Sequence, residues 1–281
     1  MNYFVCIEST SYHLWQTELL IQSFKRLGLQ DKLYIAICKT EEFVNSQFTY
    51  NISRHDKKFY FDNHHSIENK FYTLAHLLSE EILKPPFTTI HPDMILVNPI
   101  KAPETDLILS QFDEDQTFKN KIKLQLSQLM KNDTFVILDP SAIYVVNDTL
   151  DKEFFFELWK LAKKFQFKER WAEKAIWYLG IIQHLNFVDE KLSINTSFYE
   201  QSMLTYNPIQ NFIHYNHGLP PTFHKFHFQF KPPYYFCIDD TNPLKVMHSI
   251  NPNNTTDFIA KLIESYWKET GVSYHNNVWE Q

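Results

Sequence analysis

The chain predicts an α/β fold: a mixed, mostly parallel sheet flanked by helices, with a helical and irregular C-terminal extension. Three observations predict it. Strand-length apolar runs alternate with amphipathic segments through the first half. The opening triplet, Tyr3–Ile7, His13–Leu27 and Leu33–Cys38, reads as strand, helix, strand, the crossover that parallel strands require. The apolar run Phe87–Ile90 breaks abruptly at His91-Pro-Asp93, placing polar groups at a strand's carboxyl end, where open α/β sheets bind ligands.

Each element has a local reason. In the first helix Trp15, Leu19, Leu20, Phe24 and Leu27 recur at helical spacing, and Gly28 closes it. Glu8–Tyr12 is the polar turn that precedes it. Residues 41–63 read as irregular and polar. A second helix is predicted over Ser66–Leu83, with Phe71, Leu74, Leu78 and Ile82 on one face and Pro85-Pro86 as its stop. After Phe87–Ile90, a second apolar run covers Met94–Val97. A short helix is predicted over Lys119–Met130, a strand over Thr134–Leu138 and extended chain over Ile143–Val146. Helices follow at 151–166 and 169–185. Residues 206–250, rich in Pro, His and aromatics, read as loop and short strands. Thr256–Trp267 is a last amphipathic helix with Thr255 or Thr256 as its cap. These elements divide into a ligand-binding and catalytic domain, 1–220, and an extension, 221–281, packed on it.

Composition narrows the function. A 281-residue chain that is 44% hydrophobic builds a sizeable core. The net charge of -6 argues against a globally basic nucleic-acid or membrane surface. Lys119, Lys121, Lys123 and Lys131 form a local basic path or a solvated helix face. No run reaches the roughly 18 apolar residues of a membrane helix. The start MNYFVCIEST has no secretory signal pattern, so a cytoplasmic location is expected. Cys6, Cys38 and Cys237 lack metal spacing and read as reduced thiols. Gly28, Gly180, Gly218 and Gly271 are isolated, which excludes a dinucleotide fingerprint, a Walker loop and a nucleophile elbow.

The residues able to do chemistry are few. Asp93 is positioned to hold Mn²⁺ or Mg²⁺ against a diphosphate, with His91 as second ligand or phosphate donor. The same tripeptide also reads as a strand-ending turn. His214, in Phe212-Ile-His-Tyr-Asn-His-Gly218, is the third candidate ligand or a hydrogen-bonded loop histidine. His214, His217, His224 and His227 together offer an alternative, a zinc knot in an interaction module, although closed zinc sites usually include Cys. Glu173, the candidate catalytic residue, either complements its helix dipole or faces a sugar as hydrogen-bond acceptor or nucleophile. Lys70 either reaches phosphate or is an ordinary surface lysine.

Taken in order, these segments resemble glycosyltransferases of the GT-A fold, nearest the plant hydroxyproline O-arabinosyltransferases and peptidyl-serine galactosyltransferases. The matching features are Trp15-Gln16 in the first helix, Asn69-Lys70 in the next, and His91-Pro-Asp93 with Asn98-Pro99 beyond. Asp139-Pro-Ser141 at a strand end, the helix Trp171–Gly180 and His214-Tyr-Asn-His-Gly218 complete the set. The matches span about residues 3–220. The resemblance implies a UDP-sugar donor, a divalent metal and transfer with retention. Asp93 and His214 carry over as metal ligands, and Asn69, Lys70 and Ser141 as donor-site residues. Ser9, Thr10 and Tyr12 are expected to contact the nucleotide, with Tyr12 stacking on the base, and Glu173 to contact the transferred sugar. The acceptor hydroxyl is expected on a glycan, a protein or a hydroxymethylated DNA base. His91 replaces an acid of the family pattern, so the site carries one negative charge fewer. That departure favours a rival expectation, a binding protein of the same fold without transfer.

Overall fold

The computed structural model describes residues 1–40, 50–62, 66–100, 107–109, 143–146, 151–165, 196–198, 211–214 and five positions between 262 and 269. Its elements are β1 (Asn2–Glu8), α1 (Ser11–Arg26), β2 (Leu33–Cys38), α2 (Tyr50–Arg54), β3 (Lys58–Phe61), α3 (Ser66–Ser79), β4 (Phe87–Ile90) and β5 (Met94–Leu96). They continue with β6 (Leu107–Leu109), β7 (Ile143–Val146), α4 (Lys152–Phe165), β8 (Thr196–Phe198) and β9 (Phe212–His214). Leu262, Ser265, Tyr266, Lys268 and Glu269 are helical and belong to a terminal helix.

The main sheet runs β3-β2-β1-β4-β7-β6. The first four strands are parallel, while β7 lies antiparallel to both β4 and β6. A small sheet, β5-β9-β8, follows, with β9 antiparallel to β5 and parallel to β8. Alternation along β1 sorts its side chains between two layers. Tyr3 meets Phe24 of α1 edge-on at 5.0 Å. Phe4 joins Phe71, Leu74, Phe155 and Leu158 in the cluster under α3 and α4. Helices therefore cover both faces, the doubly wound arrangement of parallel sheets.

Helix α1 is buried almost all round, from Leu14 to Phe24, and its polar residues explain how. Three of them, Glu18, Gln22 and Ser23, have partners on elements packed against the helix, and Thr17 donates to His13 O within it, as buried polar groups require. Ser23 Oγ accepts the Leu96 N–H of β5 at 3.0 Å. Gln22 donates to Ser265 and Glu269 of the terminal helix, and Lys25 is ion-paired with Glu269. Glu18 accepts the Asn51 and Ile52 N–H groups at 2.8 and 2.9 Å. Those two bonds pin α2.

This region corrects the reading of 41–63 as irregular: it holds α2 and β3. Five- and four-residue elements lie below the length at which periodicity is readable. The carboxylate of Glu18, 33 residues away in sequence, and the β2 ladder hold them instead. Helix α1 begins two residues before the predicted His13, at Ser11, because Thr10 is its N-cap. Helix α3 ends at Ser79 rather than Leu83 because Glu81 adopts φ 54° there. The Ile82 N–H bonds Leu77 O and the Glu81 N–H bonds Leu78 O, the pattern of a Schellman stop. Gly28, at φ 67°, makes the same stop after α1. Strands β6 and β8 were not predicted; each is three residues long. The predicted segments 119–130, 134–138 and 169–185 lie outside the described residues.

Burial pushes the Glu18 carboxyl up to about 7, against the bonds from Ile52, Asn51 and Tyr266 and the charge of Lys25. The folded protein therefore holds a proton there between pH 4.5 and about 7 that the unfolded chain has lost. Glu18's contribution to stability is full below that window and is lost as pH rises through it. Lowering pH from 8 to 5.5 should raise the unfolding free energy of wild type relative to Glu18→Gln by roughly 2 kcal/mol. Urea titrations of both proteins at the two pH values measure this. Taking the difference cancels other groups, such as His55, whose pKa burial pushes down. An unchanged difference would show that Glu18 is ionised alike in both states.

Candidate functional site

The strand order sets the place of the site. From β1, the chain adds β2 and β3 on one side and then returns past α3 to add β4 on the other. The carboxyl ends of β1 and β4 thus diverge at a topological switch point, where open α/β sheets form a crevice. A cavity of about 200 Å³ lies there, lined by Cys6, Ile7, Glu8, His13, Asn69, Lys70, Ile90, His91 and Pro92. Drug-sized sites usually enclose roughly 300–1,000 Å³. The volume formed by the described residues thus suits one moiety of a larger ligand.

Four elements bring polar groups to it. Helix α3 contributes Asn69 and Lys70, which are 2% and 7% exposed. A lysine this buried is rare unless something compensates its charge. The end of β4 contributes His91. The end of β1 contributes Glu8, whose carboxyl burial pushes above its ordinary pKa. The first turn of α1 contributes His13.

The tripeptide His91-Pro-Asp93 forms a β-turn closed by the Met94 N–H on His91 O at 3.2 Å, with Pro92 where its fixed φ suits the turn. Asp93 is 5% exposed and, unlike its neighbours His91 and Pro92, is not among the residues that line the cavity. Strand β9 pairs with β5 so that His214 lies opposite Met94. The backbone thereby brings His214 next to Asp93 across 120 intervening positions of the chain (Cα partners in such ladders lie roughly 4.5–5.5 Å apart). Among the described residues no three His, Cys, Asp or Glu side chains form a metal-holding cluster; the His214 side chain lies outside them.

Other predicted residues have different surroundings. Ser9 Oγ accepts the Thr40 N–H at 2.9 Å, and its own N–H bonds Cys38 O at 2.9 Å. Thr10 Oγ1 caps α1 through the His13 N–H. Both side chains build the β1–α1 turn, and neither lines the cavity. Tyr12 is in the first turn of α1, with its side chain outside the described residues. Trp15 and Gln16 are buried in α1. Ser141, Glu173, His217, His224 and His227 lie outside the described residues, as does the stretch 119–131. Glu8 and His13 were missed as site residues. Glu8 had a readable signal, a carboxylate ending a central strand; His13 had none, because it read only as the start of a helix.

No protein-family model matches the sequence, and no curated protein does. Solved structures do. The galactosyltransferase LgtC, in complex with donor and acceptor sugar analogs, matches at TM-score 0.47 and 10% identity over 96% of this chain and 100% of that one. The apo-form glycosyltransferase GlyE of Streptococcus pneumoniae TIGR4 matches at 0.43 and 11% over 99% of this chain and 66% of that one. The bifunctional WbbM apo structure matches at 0.44 and 12% over 75% of this chain, which spans only 41% of that protein. Among the described residues no helix is long and apolar enough to cross a membrane.

Proposed function

We propose that the chain is a divalent-metal-dependent glycosyltransferase of GT-A-like organisation. It moves a pentose or hexose from a UDP-sugar to an acceptor hydroxyl on a glycan, a protein or a modified DNA base. Transfer with retention and kinship to the plant arabinosyltransferase group rest on the motif resemblance. The observation that carries the reading is the cavity at the β1/β4 switch point, lined by buried Lys70 and Asn69 together with His91 and His13. A nearly buried ammonium beside imidazole donors suits the oxygens of a diphosphate. The donor set fits a transition divalent cation: carboxylate suits Mn²⁺ and Mg²⁺, and imidazole shifts the preference toward Mn²⁺. Asp93 and His214 would hold it, with His91 nearest the cavity. Bound there, the ion would neutralise charge developing on the leaving diphosphate. Lys70 adds a second positive charge, and Asn69 orients the donor. Tyr12, Ser141 and Glu173 are proposed to meet base, donor and sugar respectively. Positioning the acceptor hydroxyl in line with the anomeric carbon would supply much of the rate.

Calorimetric titration of UDP with and without Mn²⁺ tests the donor and metal. The expected result is UDP binding that tightens at least tenfold with Mn²⁺, and slow hydrolysis of one UDP-sugar. Absence of UDP binding in Mn²⁺ would overturn the UDP donor. His91 in place of an acid favours a second reading, a nucleotide-sugar-binding protein without transfer. It predicts the same binding with no hydrolysis of any UDP-sugar.

A further inference from the structure

The turn that carries Ser9 and Thr10 is built to present a different residue. It is fixed to the carboxyl end of β2 and the chain just beyond it: the Ser9 N–H bonds Cys38 O, and Ser9 Oγ accepts the Thr40 N–H. Ser9 Oγ also lies 3.3 Å from Thr40 Oγ1. Thr10 Oγ1 accepts the His13 backbone N–H at 3.3 Å and stands 3.0 Å from His13 Nδ1. One side chain therefore fixes both the start of α1 and the His13 ring. His13 lines the cavity together with Lys70 and His91.

We infer that His13 is a ligand-binding residue of this cavity, positioned by Thr10, and that its Nε2–H donates to an oxygen of the bound nucleotide. The inference rests on the nucleotide-sugar reading of the cavity and adds a residue to it. The tautomer is part of the inference. A hydroxyl has one proton and two lone pairs. In Thr10 one lone pair takes the His13 N–H, and the 3.0 Å contact with Nδ1 is either O–H···Nδ1 or Nδ1–H···O; we assign the first. Nδ1 then accepts, so the neutral ring carries its proton on Nε2. A ring locked in this way enters the complex with little rotamer entropy left to lose. It donates without adding charge, so it suits a phosphate or ribose oxygen equally.

The test has one readout on the free protein and one on the complex. Long-range ¹H–¹⁵N spectra of ¹⁵N-histidine-labelled protein at pH 8 should show His13 as the Nε2–H tautomer. Thr10→Ser should keep that signature, and Thr10→Val should lose it. Calorimetry with UDP and Mn²⁺ should show His13→Ala binding about tenfold more weakly. Thr10→Val should weaken binding severalfold, and Thr10→Ser should restore wild-type affinity; circular dichroism confirms that each variant folds. An Nδ1–H tautomer in wild type, or wild-type affinity in folded His13→Ala, would overturn the role of His13 while leaving the nucleotide site standing. If wild type binds none of UDP, GDP, ADP, CDP and dTDP, the nucleotide reading itself fails and this assignment falls with it.

Discussion

Replacing Asp93 with Asn should abolish the Mn²⁺-dependent part of UDP binding while leaving the fold intact. Asn is the informative substitution because two roles compete for this residue. As a turn residue, Asp93 follows Pro92 in a β-turn closed by the Met94 N–H, and Asn serves such turns as well as Asp. As a metal ligand, Asp93 supplies the carboxylate of the proposed set, and an amide oxygen carries no charge to replace it. Asp93 is 5% exposed, so its substitution also changes a buried polar group. Asn retains an acceptor there and keeps the cost of the turn within roughly 1 kcal/mol. The expected outcome is a melting temperature within a few degrees of wild type and a loss of the Mn²⁺ increment of at least tenfold. Calorimetry and a thermal melt on the same sample separate the two roles. An unchanged Mn²⁺ increment in a folded Asp93→Asn protein would remove Asp93 from the metal site and leave it as a turn residue.

The sequence was most readable where one residue carries the local decision. Gly28 marked the end of α1 because a left-handed residue is needed there, and glycine is the usual choice. The same stop after α3 uses Glu81, which announces nothing, so that helix read four residues too long. The long apolar runs β1, β2 and β4 were legible because burial of a whole strand leaves no other reading. Helix α2 and strand β3 were not, because Glu18 and the edge of β2 hold them from far along the chain.

The site divides along the same line. His91 was readable because the carboxyl ends of strands at a switch point meet the crevice, whereas Asn69 and Lys70 were named through the motif resemblance; all three line the cavity. Ser9 and Thr10 were readable as a polar turn, but the partners of their hydroxyls come from Thr40 and from His13. No local pattern in the sequence distinguishes a hydroxyl used to build a turn from one offered to a ligand.

The second large effect should be on stability. Phe155→Ala should lower the unfolding free energy by about 3–5 kcal/mol, the usual cost of truncating a fully buried phenylalanine. That is a large share of the roughly 5–15 kcal/mol that holds a typical domain together. Phe155 is 0% exposed, packs against Phe87 of β4 at 6.3 Å, and meets Phe154 edge-on at 5.2 Å. It thus joins α4 to the strand whose carboxyl end carries His91. The loss should also reach the cavity through α3. Tyr72 of α3 packs on Trp159 of α4 at 4.9 Å, and Trp159 Nε1 donates to Glu68, the residue before Asn69. Loosening α4 therefore loosens the turn of α3 that presents Asn69 and Lys70. Phe155→Leu keeps most of the volume and should cost roughly 1–1.5 kcal/mol, with nucleotide affinity retained. Urea unfolding of both variants measures the stability terms. Calorimetry in the absence of urea should show weaker UDP binding for Phe155→Ala than for Phe155→Leu. A cost below about 1 kcal/mol for the alanine variant would mean that the layer between α4 and β4 is not the close-packed core described above.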